Sequence, residues 1–361
     1  MSAVTENAEL LELAREFAQG ELVPHEASRD ANRELDDGIL RTLAEMGFFG
    51  MAVPEEAGGL GLDPVTFHEV LAILAEADPS VALVVAEHAA AAATLAELAL
   101  DRMGDVLGAL AMGESLATTA VLETGSDETT HAPATTFEDG RVSGAKRSVV
   151  CGSRAGIVLV VASGEDGPVL ACVSGEDAAI GDRTVTMGLS AVEMVDVTLD
   201  CAAELVGGVD AVVQLAARRR LGFAAIAVGV ARSSLTHAIR YSEERAQFGR
   251  SLSGFDAVVA KLADVAARTA AAEALVRDAS AGVGATTGSA RRAAAAKIIA
   301  TESAMFAADE AVQIFGGYGY MRDYPVEKRM RDAKGLEVIG GTSEALRRVV
   351  TRELLKAARA S

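Results

Sequence analysis

Tryptophan is absent from the 361 residues, aromatic side chains make up only 4%, and cysteine occurs three times. Cys151, Cys172 and Cys201 lie far apart and form no Cys-x-x-Cys pair, so no disulfide framework is expected, as in a reduced compartment. The five histidines, His25, His68, His88, His131 and His237, show no ligand spacing such as His-Glu-x-x-His, which points away from a metal enzyme. No charge-free apolar run reaches about 20 residues, the length that a membrane span requires. The most apolar stretch, Leu221 to Ala231, is short and flanked by Arg218, Arg219, Arg220 and Arg232, and reads as a buried helix. The first residues are acidic and polar, unlike a secretory signal, so the expected location is the cytoplasm. Positive charge is scarce as well: 33 Lys and Arg face 52 Asp and Glu, for a net charge of −19. Such a surface repels nucleic acid, and its simplest role is solubility.

What is present is organised in three parts, and the length allows two or three cooperating domains. Residues 5 to about 112 read as helices, with Leu10, Leu11, Leu13, Ala14 and Phe17 at helical spacing. Pro24 breaks or kinks the first helix, Asp36 and Asp37 are candidate caps, and Val53 to Leu62 is a Pro/Gly loop before helices resume at Pro64. From Ser115 to Val206 the pattern changes to short β-branched runs. Ile157–Ala162, Val169–Val173 and Val192–Leu199 read as strands, and Glu138-Asp139-Gly140 as a hairpin turn. From Asp210 onward the reading is helical, over 210–245, 253–281, 288–315 and 341–359, with Gly282–Ser289 as a connector. The expected fold is α+β, mostly α: an N-terminal helical domain (1–113), a small middle β domain (114–208) and a C-terminal four-helix domain (209–361).

Three segments of the last part carry candidate chemistry. Arg245-Ala246-Gln247-Phe248-Gly249 ends a long helix with a basic residue, and an Arg there can bind a pyrophosphate or merely cap the helix. Gln313-Ile314-Phe315-Gly316-Gly317-Tyr318-Gly319-Tyr320 puts paired glycines at a helix end, where a ligand can approach the backbone closely; no strand precedes it, so it is no dinucleotide fingerprint. Arg331-Asp332-Ala333-Lys334 precedes Gly341-Thr342-Ser343-Glu344, in which Thr342 or Ser343 can cap the last helix.

In this order and at these separations the segments resemble the acyl-CoA dehydrogenase family. The resemblance covers about residues 5 to 358. Ala52-Val53-Pro54-Glu55-Glu56 with Gly58-Gly59-Leu60-Gly61 matches a family stretch, and Gly125-Ser126-Asp127, Gly144-Ala145-Lys146, Met187-Gly188 and Leu205-Val206-Gly207 fit more loosely. The resemblance implies tetramers built as dimers of dimers, with FAD at a dimer interface, an acyl-CoA substrate and an electron-transfer protein as acceptor. It implies that Arg245, Phe248, Gln313, Gly316 and Gly317 contact FAD bound mainly by a neighbour. Thr342 and Glu344 would belong to the chain's own flavin site, and Ser126 and Arg220 to the acyl-CoA site. In the family reaction a carboxylate base removes the α-proton of an acyl thioester while the β-hydrogen leaves as hydride to the flavin.

The chain departs from the family where that chemistry would happen. The usual Glu directly before Gly-Thr is Gly340 here, and the alternative Glu position of some relatives is Arg219. Glu337, three residues before Gly340, is the remaining candidate base. Leu122 and Ser148-Val149-Val150 stand where the family has a flavin-contacting Thr and Trp-Ile-Thr, and Leu and Val cannot donate hydrogen bonds. The positions that would reach a neighbour's FAD are kept. This asymmetry is expected of the base-lacking subunit of an α2β2 acyl-CoA dehydrogenase, an arrangement resembling some steroid-degrading members. A self-sufficient homotetramer with a displaced base, and a non-redox acyl-CoA- or partner-binding protein, are the rival expectations. Fatty-acid or steroid side-chain metabolism is the expected setting.

Overall fold

The computed structural model describes residues 3–129, 132–283 and 288–360. The N-terminal part contains helices α1 (Ala3–Phe17), α2 (Glu26–Asn32), α3 (Asp37–Glu45), α4 (Pro64–Ala77) and α5 (Pro79–Ala111). Asp36 accepts a hydrogen bond from Ile39 N (3.0 Å) and so caps α3, while Asp63 caps α4 through Val65 N and Thr66 N. After α1 the chain passes through a π turn and a 3₁₀ turn containing Pro24 before α2 begins. The Pro/Gly loop closes on itself, with Leu60 N donating to Gly50 O (2.9 Å) and Gly61 N to Val53 O (2.8 Å).

The middle sheet comprises β1 (Leu116–Ala120), β2 (Thr136–Glu138), β3 (Arg141–Val150), β4 (Ala155–Gly164), β5 (Gly167–Ser174), β6 (Ala179–Arg183), β7 (Met194–Ala202) and β8 (Glu204–Gly207). Its order is β6-β7-β3-β2-β4-β5-β8, with β1 added parallel to β4. Asp139 and Gly140, both at positive φ, make the β2–β3 hairpin turn. The three cysteines lie buried and unlinked in this part.

The C-terminal part begins with α6 (Val209–Glu244), continues through the short hairpin β9 (Ala246–Gln247) and β10 (Arg250–Ser251), and then forms α7 (Asp256–Ala281), α8 (Ser289–Phe315), α9 (Val326–Val338) and α10 (Ser343–Ala360). Helix α6 is the centre of the molecule, packing on α8, α4, α5 and α7. α5 and α6 are each long and apolar enough to cross a membrane, but 83% and 72% of their most apolar windows are buried against protein. They are core helices, and the Leu221–Ala231 stretch lies inside α6.

Helix α9 has no counterpart among the sequence-derived helices, for a physical reason. Its buried face carries Lys328, Arg329 and Asp332 beside Val326, Ala333 and Leu336, so apolar residues alone do not trace it. Lys328 pairs with Asp332 (2.6 Å) and Glu26 (3.0 Å), and Arg329 pairs with Glu26 and bonds Ser233 Oγ (2.8 Å). Asp332 accepts from Leu189 N (2.6 Å). Gly188 lies so close that a Cβ there would fall 2.0 Å from Arg331 O. Met187-Gly188 and Arg331-Asp332 are therefore one joint between sheet and bundle.

Candidate functional site

The two positions from which a base would come are brought together. Gly340 follows α9, and Arg219 lies on α6. Their link is Glu128, from the loop after Gly125-Ser126-Asp127, a residue that no motif marked. Glu128 Oε1 accepts from Gly340 N (3.0 Å) and Oε2 from Arg219 Nη1. Arg219 continues to Glu87 on α5, with Nη2 to Oε1 at 2.7 Å and Nε at 3.1 Å from both oxygens. Thr119 Oγ1 on β1 also donates to Glu87 Oε2 (2.9 Å). Glu87 is the one acid in an apolar helical run, and that is the sequence signal that announced a buried partner.

Charges govern this centre. Burial pushes the Glu128 carboxyl up, but the Arg219 guanidinium, by charge and hydrogen bond, outweighs burial and holds it below the usual range. Burial opposes the charge of Arg219, yet Glu128 and Glu87 overcome this and raise its pKa. Arg220, the candidate substrate contact, is buried and pushed down to about 10 by that burial; it donates to Gly340 O (3.3 Å) and Glu128 O (3.5 Å). Lys297 on α8 is wholly buried and donates to Gly341 O (2.7 Å) and Glu337 O (3.1 Å), and burial lowers it to about 7.

Gly340 has φ +75°, and a Cβ there would meet the Phe223 ring at 2.6 Å, so the backbone resists any larger residue. Glu337 sits in the last turn of α9 with its carboxylate paired to Lys334, a partly exposed contact one helical turn from Gly340. Thr342 Oγ1 accepts from Ala345 N (3.3 Å) at the start of α10, which is the capping role, and Glu344 beside it is exposed. Ser126 Oγ exchanges hydrogen bonds with the backbone of Glu123 at 3.2 Å and holds its own turn.

Leu122 and Ser148 are also neighbours: Leu122 O accepts from Arg147 N (2.8 Å). Val149 and Val150 are buried in the cores, and Ser148 Oγ is taken up by Thr184 Oγ1 (3.1 Å). Glu123 anchors the segment through Ala134 N, Thr135 N and Lys146 Nζ (2.6 Å); its carboxyl, which burial would raise, is lowered to about 2 by these contacts. Of Leu122, Ser148, Val149 and Val150 only Ser148 carries a side-chain donor, and its hydroxyl is already engaged with Thr184, so this cradle suits a flavin ring poorly.

The other end of the bundle is the opposite case. Arg245, Phe248, Gln313, Gly316 and Gly317 are all exposed where α6 and α8 end. Phe248, at positive φ in the β9–β10 turn, is 94% exposed, and Tyr320 is 85% exposed. Beneath them Tyr241 and Phe315 stack with centroids 4.0 Å apart, and Arg245 lies over the Tyr318 ring. A Cβ at Gly316 or Gly317 would meet nothing within 4 Å, so this backbone is open to a ligand. An exposed Arg, open glycine backbone and aromatic faces fit the phosphate and ring portions of a dinucleotide presented from outside.

Comparison with known proteins agrees with this organisation. Residues 5–114 match the model of the acyl-CoA dehydrogenase N-terminal domain, and residues 207–355 that of the C-terminal domain. The chain is 31% identical to the acryloyl-CoA reductase (NADH) of Anaerotignum propionicum, over 98% of this chain and 96% of that protein. It is 29% identical to an acyl-CoA dehydrogenase of Bacillus subtilis, over 98% and 99%. The butyryl-CoA dehydrogenase structure from Megasphaera elsdenii superimposes with a TM-score of 0.91 at 27% identity, over 98% of this chain and 99% of that one.

Proposed function

We propose, of a chain that belongs to the acyl-CoA dehydrogenase family of flavoprotein oxidoreductases, that it serves as the subunit completing the FAD site of a second, Glu-bearing family member. The observation that carries this reading is the contrast between its two ends. Residues that would meet a neighbour's FAD are exposed and unobstructed, whereas both base positions of the chain itself are closed by buried charge pairs. FAD, when bound, supplies hydride acceptance. This chain's own contribution is to bind and orient: Arg245 for phosphate, Phe248 and Tyr318 as faces for rings, and Gly316–Gly317 as open backbone. The partner would carry the carboxylate that removes the α-proton of an acyl-CoA, and an electron-transfer protein would reoxidise the flavin. The acidic composition speaks against nucleic acid as a partner, and a cytoplasmic setting is part of this reading.

Co-expression with a family member that keeps Glu before its Gly-Thr tests the reading. The expected result is an α2β2 complex by native mass, one flavin per chain pair by absorbance, and no flavin on the chain alone. Stoichiometric flavin and acyl-CoA oxidation by the chain alone would overturn it.

A further inference from the structure

One carboxylate joins the two base positions. Glu128 reaches from Gly340 N–H to Arg219, and Arg219 reaches on to Glu87, so four distant segments converge on one point. We infer that the Glu87–Arg219–Glu128 triad is a built-in occupant of this chain's own acyl-thioester site, and that the site takes no acyl-CoA while the triad stands. This rests on Gly340 and Arg219 being the family's base positions.

Hydrogen-bond accounting supports an occupant rather than a displaced base. Every carboxylate oxygen in the triad has a donor: Arg219 for Glu87 Oε1, Arg219 and Thr119 for Glu87 Oε2, Gly340 N–H for Glu128 Oε1, and Arg219 for Glu128 Oε2. Glu128 held in this way has its proton affinity lowered, whereas α-proton removal needs a high one. The backbone N–H of Gly340 is the type of donor that holds a thioester carbonyl oxygen, and the oxygen found on it belongs to Glu128. The triad thus places an oxygen of the protein on the donor that a thioester carbonyl would otherwise take.

Packing points the same way. Arg219 and Glu87 are 6% and 1% exposed, and the Phe223 ring lies under Arg219 and against Gly340. At the neighbouring helix crossing, Gly222 lies against Ala86, where an added Cβ would come within 3.1 Å. The two helices are in direct contact at that crossing. A buried ion pair is weak evidence for stability, so a triad this deep calls for another role.

The test is calorimetric titration of the full-length chain with propionyl-CoA, the shortest thioester with a Cα–Cβ bond. Wild type is expected to give no binding. Glu128→Ala frees the Gly340 N–H while leaving Arg219 paired with Glu87, and is expected to bind. The wider Glu87→Gln/Arg219→Ala/Glu128→Ala variant removes all three charges of the triad and is expected to bind at least tenfold more tightly than the volume-keeping Glu87→Gln/Arg219→Met/Glu128→Gln variant. Saturable one-to-one binding by wild type overturns the inference, as does a cooperatively melting Glu128→Ala protein that binds nothing. Flavin absorbance of the same wild-type sample addresses the subunit reading separately: bound flavin would reject that reading while the thioester titration still decides this one.

Discussion

The centre around Gly340 and the arm around Phe248 are built from opposite materials. At the centre, charged side chains are buried, each tied to a partner, and a glycine sits against an aromatic ring. At the arm, aromatic side chains and glycines face solvent and the basic residue is exposed. A self-sufficient homotetramer would be expected to show an open, polar centre beside the same exposed arm, so it is the closed centre that distinguishes the two readings. The contrast sits on a backbone plan shared with a butyryl-CoA dehydrogenase, on which the chain superimposes with a TM-score of 0.91.

The largest expected effect breaks the centre. Arg219→Ala leaves Glu87 and Glu128 as buried, unpaired carboxylates, and should cost about 3–5 kcal/mol in denaturant unfolding. A loss below about 1 kcal/mol would mean that the centre is hydrated and open, and the contrast would dissolve.

A smaller effect sharpens the same region through pH. Burial lowers Lys297 to about 7 from an ordinary 10.5, so between those values the unfolded chain holds a proton that the folded chain has released. The cost of burying the ammonium is therefore fully present at pH 6 and fades as pH rises. Relative to Lys297→Met, wild type should change little from pH 6 to about 7 and then gain melting temperature up to pH 9. A difference independent of pH would show that the folded chain keeps the amine protonated across this range, as in water.

The smallest effect on stability belongs to the arm. Phe248→Ala should change unfolding free energy by no more than about 0.5 kcal/mol, because the ring is almost fully exposed. The same substitution should reduce flavin retained by a co-purified complex, read from absorbance per protein. Undiminished flavin would remove the arm from the cofactor site.

The legibility of the sequence follows from how each feature is encoded. Helices α6, α7, α8 and α10 show in apolar spacing and connectors, and β4, β5 and β7 in short β-branched runs. Helix α9 was hidden because its inner face is ionic, and β1 and β2 because they are short. The absence of a base at Gly340 and Arg219 was readable from motif register. What replaced it was not, because Glu128 lies in a loop without periodicity and meets Gly340 across 212 positions of chain. Its location depends on the Glu123 anchor a few residues earlier, a contact that only the folded sheet creates.

The ionic face of α9 has a mechanical consequence. Glu26 of the N-terminal helices, Leu189 of the middle sheet and Ser233 of α6 all bond to residues of this one helix. Swinging any one of the three parts would strand buried charges, so α9 acts as a rivet through all of them. The span from the closed centre to the exposed arm is thereby a fixed length. A neighbouring subunit docking on the arm, as proposed, would find the rest of this surface at a set distance and angle.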